Sequence, residues 1–160
     1  MTTVTQRLAP GAAPGAVPLE LALTAEERTR SRFRFRATSG EPVELLLPRG
    51  TVLRDGDLLA DADGVARVRV RARAEPVLTV RAGDPFLLLR AAYHLGNRHV
   101  PLEVGRGYLR LAPDPVLADM LVQLGLGVTT ETVPFQPEAG AYAGHSHRHE
   151  FVRAPAPRRA

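Results

Sequence analysis

VLTVRAGDPFLLLRAAYHLGNRHVPLEVGRGYLRLAPDPVLADMLVQLGLGVTTETVPF (77–135) is the stretch whose rhythm decides the fold. VLTVRA (77–82) alternates and reads as a strand. Asp84-Pro85 then supplies an N-cap followed by a proline at the first helical position, where a missing N–H costs nothing. Leu88, Ala91, Ala92 and Leu95 follow at helical spacing, so a helix is expected to about Leu95, with Gly96 ending it in the left-handed conformation. HVPLEV (99–104) reads as a strand, with Pro101 marking an edge or a bulge. GYLRLA (107–112) is a further strand. Asp114-Pro115 repeats the cap signal, and Leu117, Met120, Leu121 and Leu124 form an apolar helical stripe. Gly125 and Gly127 stop that helix, and the β-branched GVTTETVPF (127–135) is the last strand. The order βαββαβ predicts a ferredoxin-like α+β domain over 75–143.

Outward toward the N-terminus the period changes to two. In RFRFRA (32–37), Phe33, Phe35 and Ala37 alternate with Arg32, Arg34 and Arg36. In VARVRVRAR (65–73), Val68, Val70 and Ala72 alternate with arginines. VELLL (43–47) is a third strand, and Asp55-Gly56 and Asp63-Gly64 are turn signals. Thr24 and Glu27 have capping-box spacing, which predicts one helical turn. Residues 18–74 are therefore expected to form a small all-β N-terminal domain. The Ala/Pro/Gly-rich stretch 1–17 and the segment 144–160 read as flexible tails.

Composition narrows the function. The 160 residues are 44% hydrophobic, enough for a real core in a two-domain chain. With no Cys, a thiolate metal site is impossible, and any transition-metal site must use imidazole or oxygen ligands. The net charge is +4, but all 21 basic residues are Arg in a chain rich in Ala, Gly and Pro. That composition makes Arg the default cation rather than a nucleic-acid signature. The N-terminus lacks a basic start followed by an apolar run, so the expected compartment is the cytoplasm, without a membrane span. P-loop, dinucleotide, H-E-x-x-H and G-x-S-x-G motifs are all missing, so an enzyme is not expected.

The chain has five His: His94, His99, His145, His147 and His149. HSHRH (145–149) places three imidazoles on alternate residues, a spacing from which an extended chain can wrap one ion. His94 and His99 would lie roughly 140° apart on a continuous helix, too far to share an ion. A lone His99 needs partners from the tail or from a second subunit. His94 reads as a helix-end residue near the negative end of the dipole. The runner-up is an RNA-binding module, because RNA-recognition domains share the βαββαβ order. Arg106-Gly107-Tyr108 imitates the start of their third strand, but Arg110 and Pro113 stand where further aromatics belong.

YHLGNRHVPLEV (93–104) resembles the signature of the urease accessory nickel chaperones, the UreE family. LPRGTVLRDGDLL (47–59) resembles the family's N-terminal domain, and PVLADMLVQLGLGV (115–128) and PFQPEAGAY (134–142) its C-terminal domain. The resemblance implies a peptide-binding-like N-terminal domain followed by a metal-binding domain. It implies a homodimer in which His99 binds nickel with its symmetry mate, and a tail whose His145, His147 and His149 add ligands. The cargo would be Ni2+, with Zn2+ or Cu2+ accepted in vitro. The implied partners are the urease accessory GTPase and apo-urease, with no nucleic acid and no membrane. Some members carry two His on the strand ahead of the second helix. Arg110-Leu111-Ala112-Pro113-Asp114 has none, which implies that this secondary site is missing.

Overall fold

The computed structural model describes residues 1–9, 11–12 and 16–139. The all-β part holds β1 (Thr2–Val4), β2 (Gln6–Leu8), β3 (Leu19–Leu23), β4 (Arg32–Arg36), β5 (Pro42–Leu46), β6 (Leu58–Ala60) and β7 (Ala66–Ala72). They form two sheets, ordered β1-β5-β4 and β2-β6-β7-β3. Alternation decides what is buried: Leu19, Leu21 and Leu23 of β3 face one core with Val43 and Leu45 of β5 and Val68 and Val70 of β7. The intervening arginines pair at the surface, Arg34 with Glu44 at 2.9 Å and Arg71 with Glu20 at 3.3 Å.

One expectation fails here. Residues 1–17 were expected to be a flexible tail, yet β1 pairs in parallel with β5, β2 pairs antiparallel with β6, and Val4 is fully buried. Three-residue strands are too short to show a period of two. Their partners lie some 40 to 50 residues away, so no local signal marks them.

The capping box forms as read. The Thr24 N–H donates to Glu27 at 2.8 Å and the Glu27 N–H to the Thr24 hydroxyl at 3.2 Å, opening a single 3-10 turn over Glu27–Thr29.

The second unit runs β8 (Ala74–Arg81), α1 (Pro85–Gly96), β9 (Glu103–Gly105), β10 (Tyr108–Leu111), α2 (Pro115–Gln123) and β11 (Gly127–Pro134). Its sheet is antiparallel throughout, in the order β11-β8-β10-β9. Leu78, Val80, Leu109 and Leu111 meet Ala91 and Leu95 of α1 and Leu121 of α2 in a second core. Asp84 accepts from the Phe86 N–H, and Asp114 from those of Val116 and Leu117, so both caps form.

The opposite sheet face carries charge instead of helices. Arg110 bonds Glu103 at 3.0 Å and lies 3.7 Å from Glu131, while its guanidinium sits 4.4 Å over the Tyr108 ring. The Tyr108 hydroxyl also bonds Glu103. Gly105 is required beneath that ring, because a Cβ there would lie 2.1 Å from it. Among the described residues no helix is long and apolar enough to cross a membrane.

Candidate metal centre

The geometry around His99 follows from how α1 ends. Gly96 does not take the left-handed conformation; His99 does, with φ 55°, the one non-glycine residue with positive φ among the described residues. The His99 N–H bonds the Gly96 carbonyl at 2.9 Å and the Val100 N–H bonds the Leu95 carbonyl at 3.2 Å. These are the paired 5→2 and 6→1 bonds of a Schellman motif with His99 at its left-handed position. Leu95 and Val100 supply the accompanying apolar contact in the core. The expected strand over 99–104 is corrected accordingly. His99–Leu102 is helix exit and loop, and β9 begins only at Glu103, because Pro101 cannot donate to a ladder.

The end of α2 is an internal control. There the Gly125 N–H bonds the Val122 carbonyl and the Leu126 N–H the Leu121 carbonyl, with Gly125 at φ 86°. The same motif thus uses glycine after α2 and histidine after α1. An L-residue held there stores conformational cost, roughly 1 kcal/mol, at an exposed position. His tolerates this region better than most side chains, though it is not the cheapest choice.

The helix that ends at this turn carries an exposed apolar stripe. Phe86, Leu89 and Tyr93 stand at i, i+3 and i+7 on α1 and are 60%, 66% and 66% exposed. With Ala92, Arg90 and His94 they line an open apolar depression. His94 occupies the last turn, as read, half-buried with its ring edge-on to Tyr93 at 5.5 Å. The carbonyl-capping task there falls to Arg98, whose guanidinium donates to the His94 carbonyl at 3.0 Å.

Among the described residues, no three His, Asp or Glu side chains converge on a point where one ion could sit. Of the expected ligands, His99 is thus placed alone and exposed. His145, His147 and His149 lie outside the described residues. What the sequence did not reveal was the conformation of His99, because the nearer glycine was the more obvious terminator. The spacing from Leu95 to Val100, a 6→1 apolar pair, is the signal that could have found it.

Among the described residues the chain thus offers one exposed imidazole, that of His99, at the end of a helix with an uncovered apolar face, features suited to binding. Two family models match it: the UreE urease accessory protein N-terminal domain over residues 4–73, and the C-terminal domain over 75–155. Proteins described as urease accessory protein UreE are similar over nearly the whole chain. One from Nostoc sp. is 55% identical over 149 residues, covering 93% of this chain and all of the relative. One from Nostoc punctiforme is 56% identical with the same coverage. One from Burkholderia ambifaria is 54% identical over 159 residues, covering 96% of this chain and 78% of the relative. The chain belongs to the UreE family of urease accessory proteins, and it is an accessory protein rather than an enzyme.

Proposed function

We propose that this protein carries Ni2+ for assembly of the urease active site, as a homodimer that holds the ion between symmetry-related copies of His99. The observation that carries the reading is the place of His99. It is exposed and fixed in a left-handed helix terminus, and the helix it ends carries the uncovered Phe86–Leu89–Tyr93 face. One imidazole is a weak ligand. A two-fold axis through that apolar face doubles it without further sequence. His145, His147 and His149 supply additional nitrogen ligands, and Zn2+ or Cu2+ can occupy the same donors in vitro. Neutral imidazoles on an interface release an ion on protonation, as a carrier requires.

In this reading residues 75–143 are the ferredoxin-like metal domain, a reading supported by the strand order β11-β8-β10-β9 with α1 and α2 on one core. Residues 18–74 are the peptide-binding-like domain, to which β1 and β2 now add. The partners are the urease accessory GTPase and apo-urease, and the compartment is the cytoplasm. The RNA-binding alternative is disfavoured by the sheet face away from the helices. Tyr108 there is capped by Arg110 and bordered by the Glu103 and Glu131 carboxylates, which repel phosphate. Nickel titration of wild type, His94→Ala and His99→Ala at neutral pH tests the proposal. His99→Ala should abolish the tightest site with dimer mass intact. Retention of that site, or its loss in His94→Ala instead, refutes the assignment.

A further inference from the structure

In the second sheet β11 and β9 lie on opposite edges, separated by β8 and β10. Three strand spacings put about 14 Å between them. Yet the chain leaving β11 does not continue outward from its own edge. The Gln136 N–H donates to Glu103 at 2.7 Å, and the Glu138 N–H donates to the Leu102 carbonyl at 2.8 Å. Both acceptors lie at the start of β9. Residues 135–138 therefore cross the whole end of the sheet.

The crossing is held by one peptide group gripped on both sides. The carbonyl of Phe135 accepts from the buried Arg28 guanidinium, which comes from the 3-10 turn of the all-β unit. The N–H of the same peptide, that of Gln136, donates to the Glu103 carboxylate. The Phe135 side chain is itself buried. Glu103 is in turn fixed by Arg110 and by the Tyr108 hydroxyl. Such charge-assisted bonds to both poles of one amide are strong and directional.

We infer that residues 135–138 are a strap that delivers the start of the C-terminal segment to the His99 side of the sheet, with Glu103 as its positioning residue. Leu102 is three residues from His99, at most about 11 Å of chain, and Ala139 to His145 spans up to about 20 Å. From the strap's end the tail imidazoles can reach His99 of the same protomer. From Pro134 without the strap, they would start at the far edge. The inference rests on the proposed metal role of the tail, and its test separates the two.

The Cys-free chain allows paired labels. Arg98→Cys and Ala139→Cys, spin-labelled and diluted with unlabelled chain, report the strap by pulsed EPR without metal. A single narrow distance is expected in the parent and in Glu103→Gln, whose amide oxygen still accepts from Gln136. Glu103→Ala should broaden it and lengthen it by up to about 14 Å. Gln136→Pro, which deletes the N–H while leaving Glu103 in place, should do the same and guards against a Glu103→Ala chain that merely misfolds. Unchanged distances in both overturn the strap. Nickel titration, with the chain lacking 144–160 as reference, reads the consequence. The free chain to His145 grows from seven residues to eleven, so tail-dependent affinity should fall about two- to fivefold in Glu103→Ala. Glu103→Gln should restore it. If the distances move while affinity holds and the tail deletion weakens binding, the positioning role is wrong. If the tail deletion itself changes nothing, the tail's metal role fails and takes the positioning role with it, while the distances still decide the strap.

Discussion

Replacing His99 by glycine should strengthen the fold while destroying the metal site, and the two helix ends allow the size to be worked out. His99 sits at φ 55° in the position that Gly125 fills after α2 at φ 86°. An L-residue there costs roughly 1–2 kcal/mol over glycine. Glycine loses about 0.5–1 kcal/mol more backbone entropy on folding. The difference leaves a net gain of about 0.5–1 kcal/mol for His99→Gly, equivalent to about 1–4 °C in melting temperature for a chain of this size. His99→Ala keeps a Cβ in the left-handed region and should show no such gain. Gly125→Ala is the mirror experiment. No atom lies within 4 Å of the Cβ it would add, so any loss is purely conformational, about 1 kcal/mol. Calorimetry of the metal-free proteins decides the matter. If His99→Gly melts with His99→Ala, or Gly125→Ala costs nothing, the claim that His99 carries strain is wrong.

The metal-free protein should be a dimer at micromolar concentration by light scattering, and Leu89→Asp on the exposed α1 face should make it a monomer. Deleting residues 144–160 should leave the melting temperature and dimer mass unchanged while reducing the ions bound or their affinity in calorimetric titration. A hydrogen bond from Thr79, aided by Arg81 and Arg110, holds the Glu131 carboxyl below the usual carboxylate range. The resulting stability is present at neutral pH and is lost as pH falls through that lowered pKa. Thr79→Val should raise the Glu131 pKa and move acid unfolding to higher pH; an unmoved acid limb would show that Thr79 is not the cause. Gly105→Ala should displace the Tyr108 ring and lower the melting temperature by several degrees.

Much of the architecture was legible because alternation and capping are local. Val68, Val70 and Ala72, or Asp84 followed by Pro85, state their structure within a few residues. The failures share a cause. β1 and β2 exist only through β5 and β6, and a run of three residues has no period to read. α1 ends at Gly96, within a residue of the expectation, but its left-handed position falls at His99 and not at Gly96. The 6→1 bond from Val100 to Leu95 set it instead, under the pull of two apolar side chains on the core. The strap was invisible for the same reason. Nothing in PFQPE says that its amides will find Glu103 and Leu102, more than thirty residues earlier.

The site differs from the fold in what could be read. That a transition metal would meet imidazole or oxygen donors follows from composition, since the chain has no Cys. The placement of His99 does not, because it depends on a conformation histidine tolerates but glycine would prefer. A helix built only for stability would end α1 as it ends α2. In the proposed reading, the two hydrogen bonds of the helix end hold the imidazole's backbone in one conformation, a rigidity that a ligand shared between two copies would need. The same position leaves the ring exposed, so that protons would reach it and a bound ion would leave. If rigidity is what the strain supplies, His99 transplanted one residue away, as Arg98→His in a His99→Gly background, should restore stability but not tight nickel binding. Tight binding in that double variant would show that any exposed imidazole near the α1 face suffices, and that the helix end is incidental.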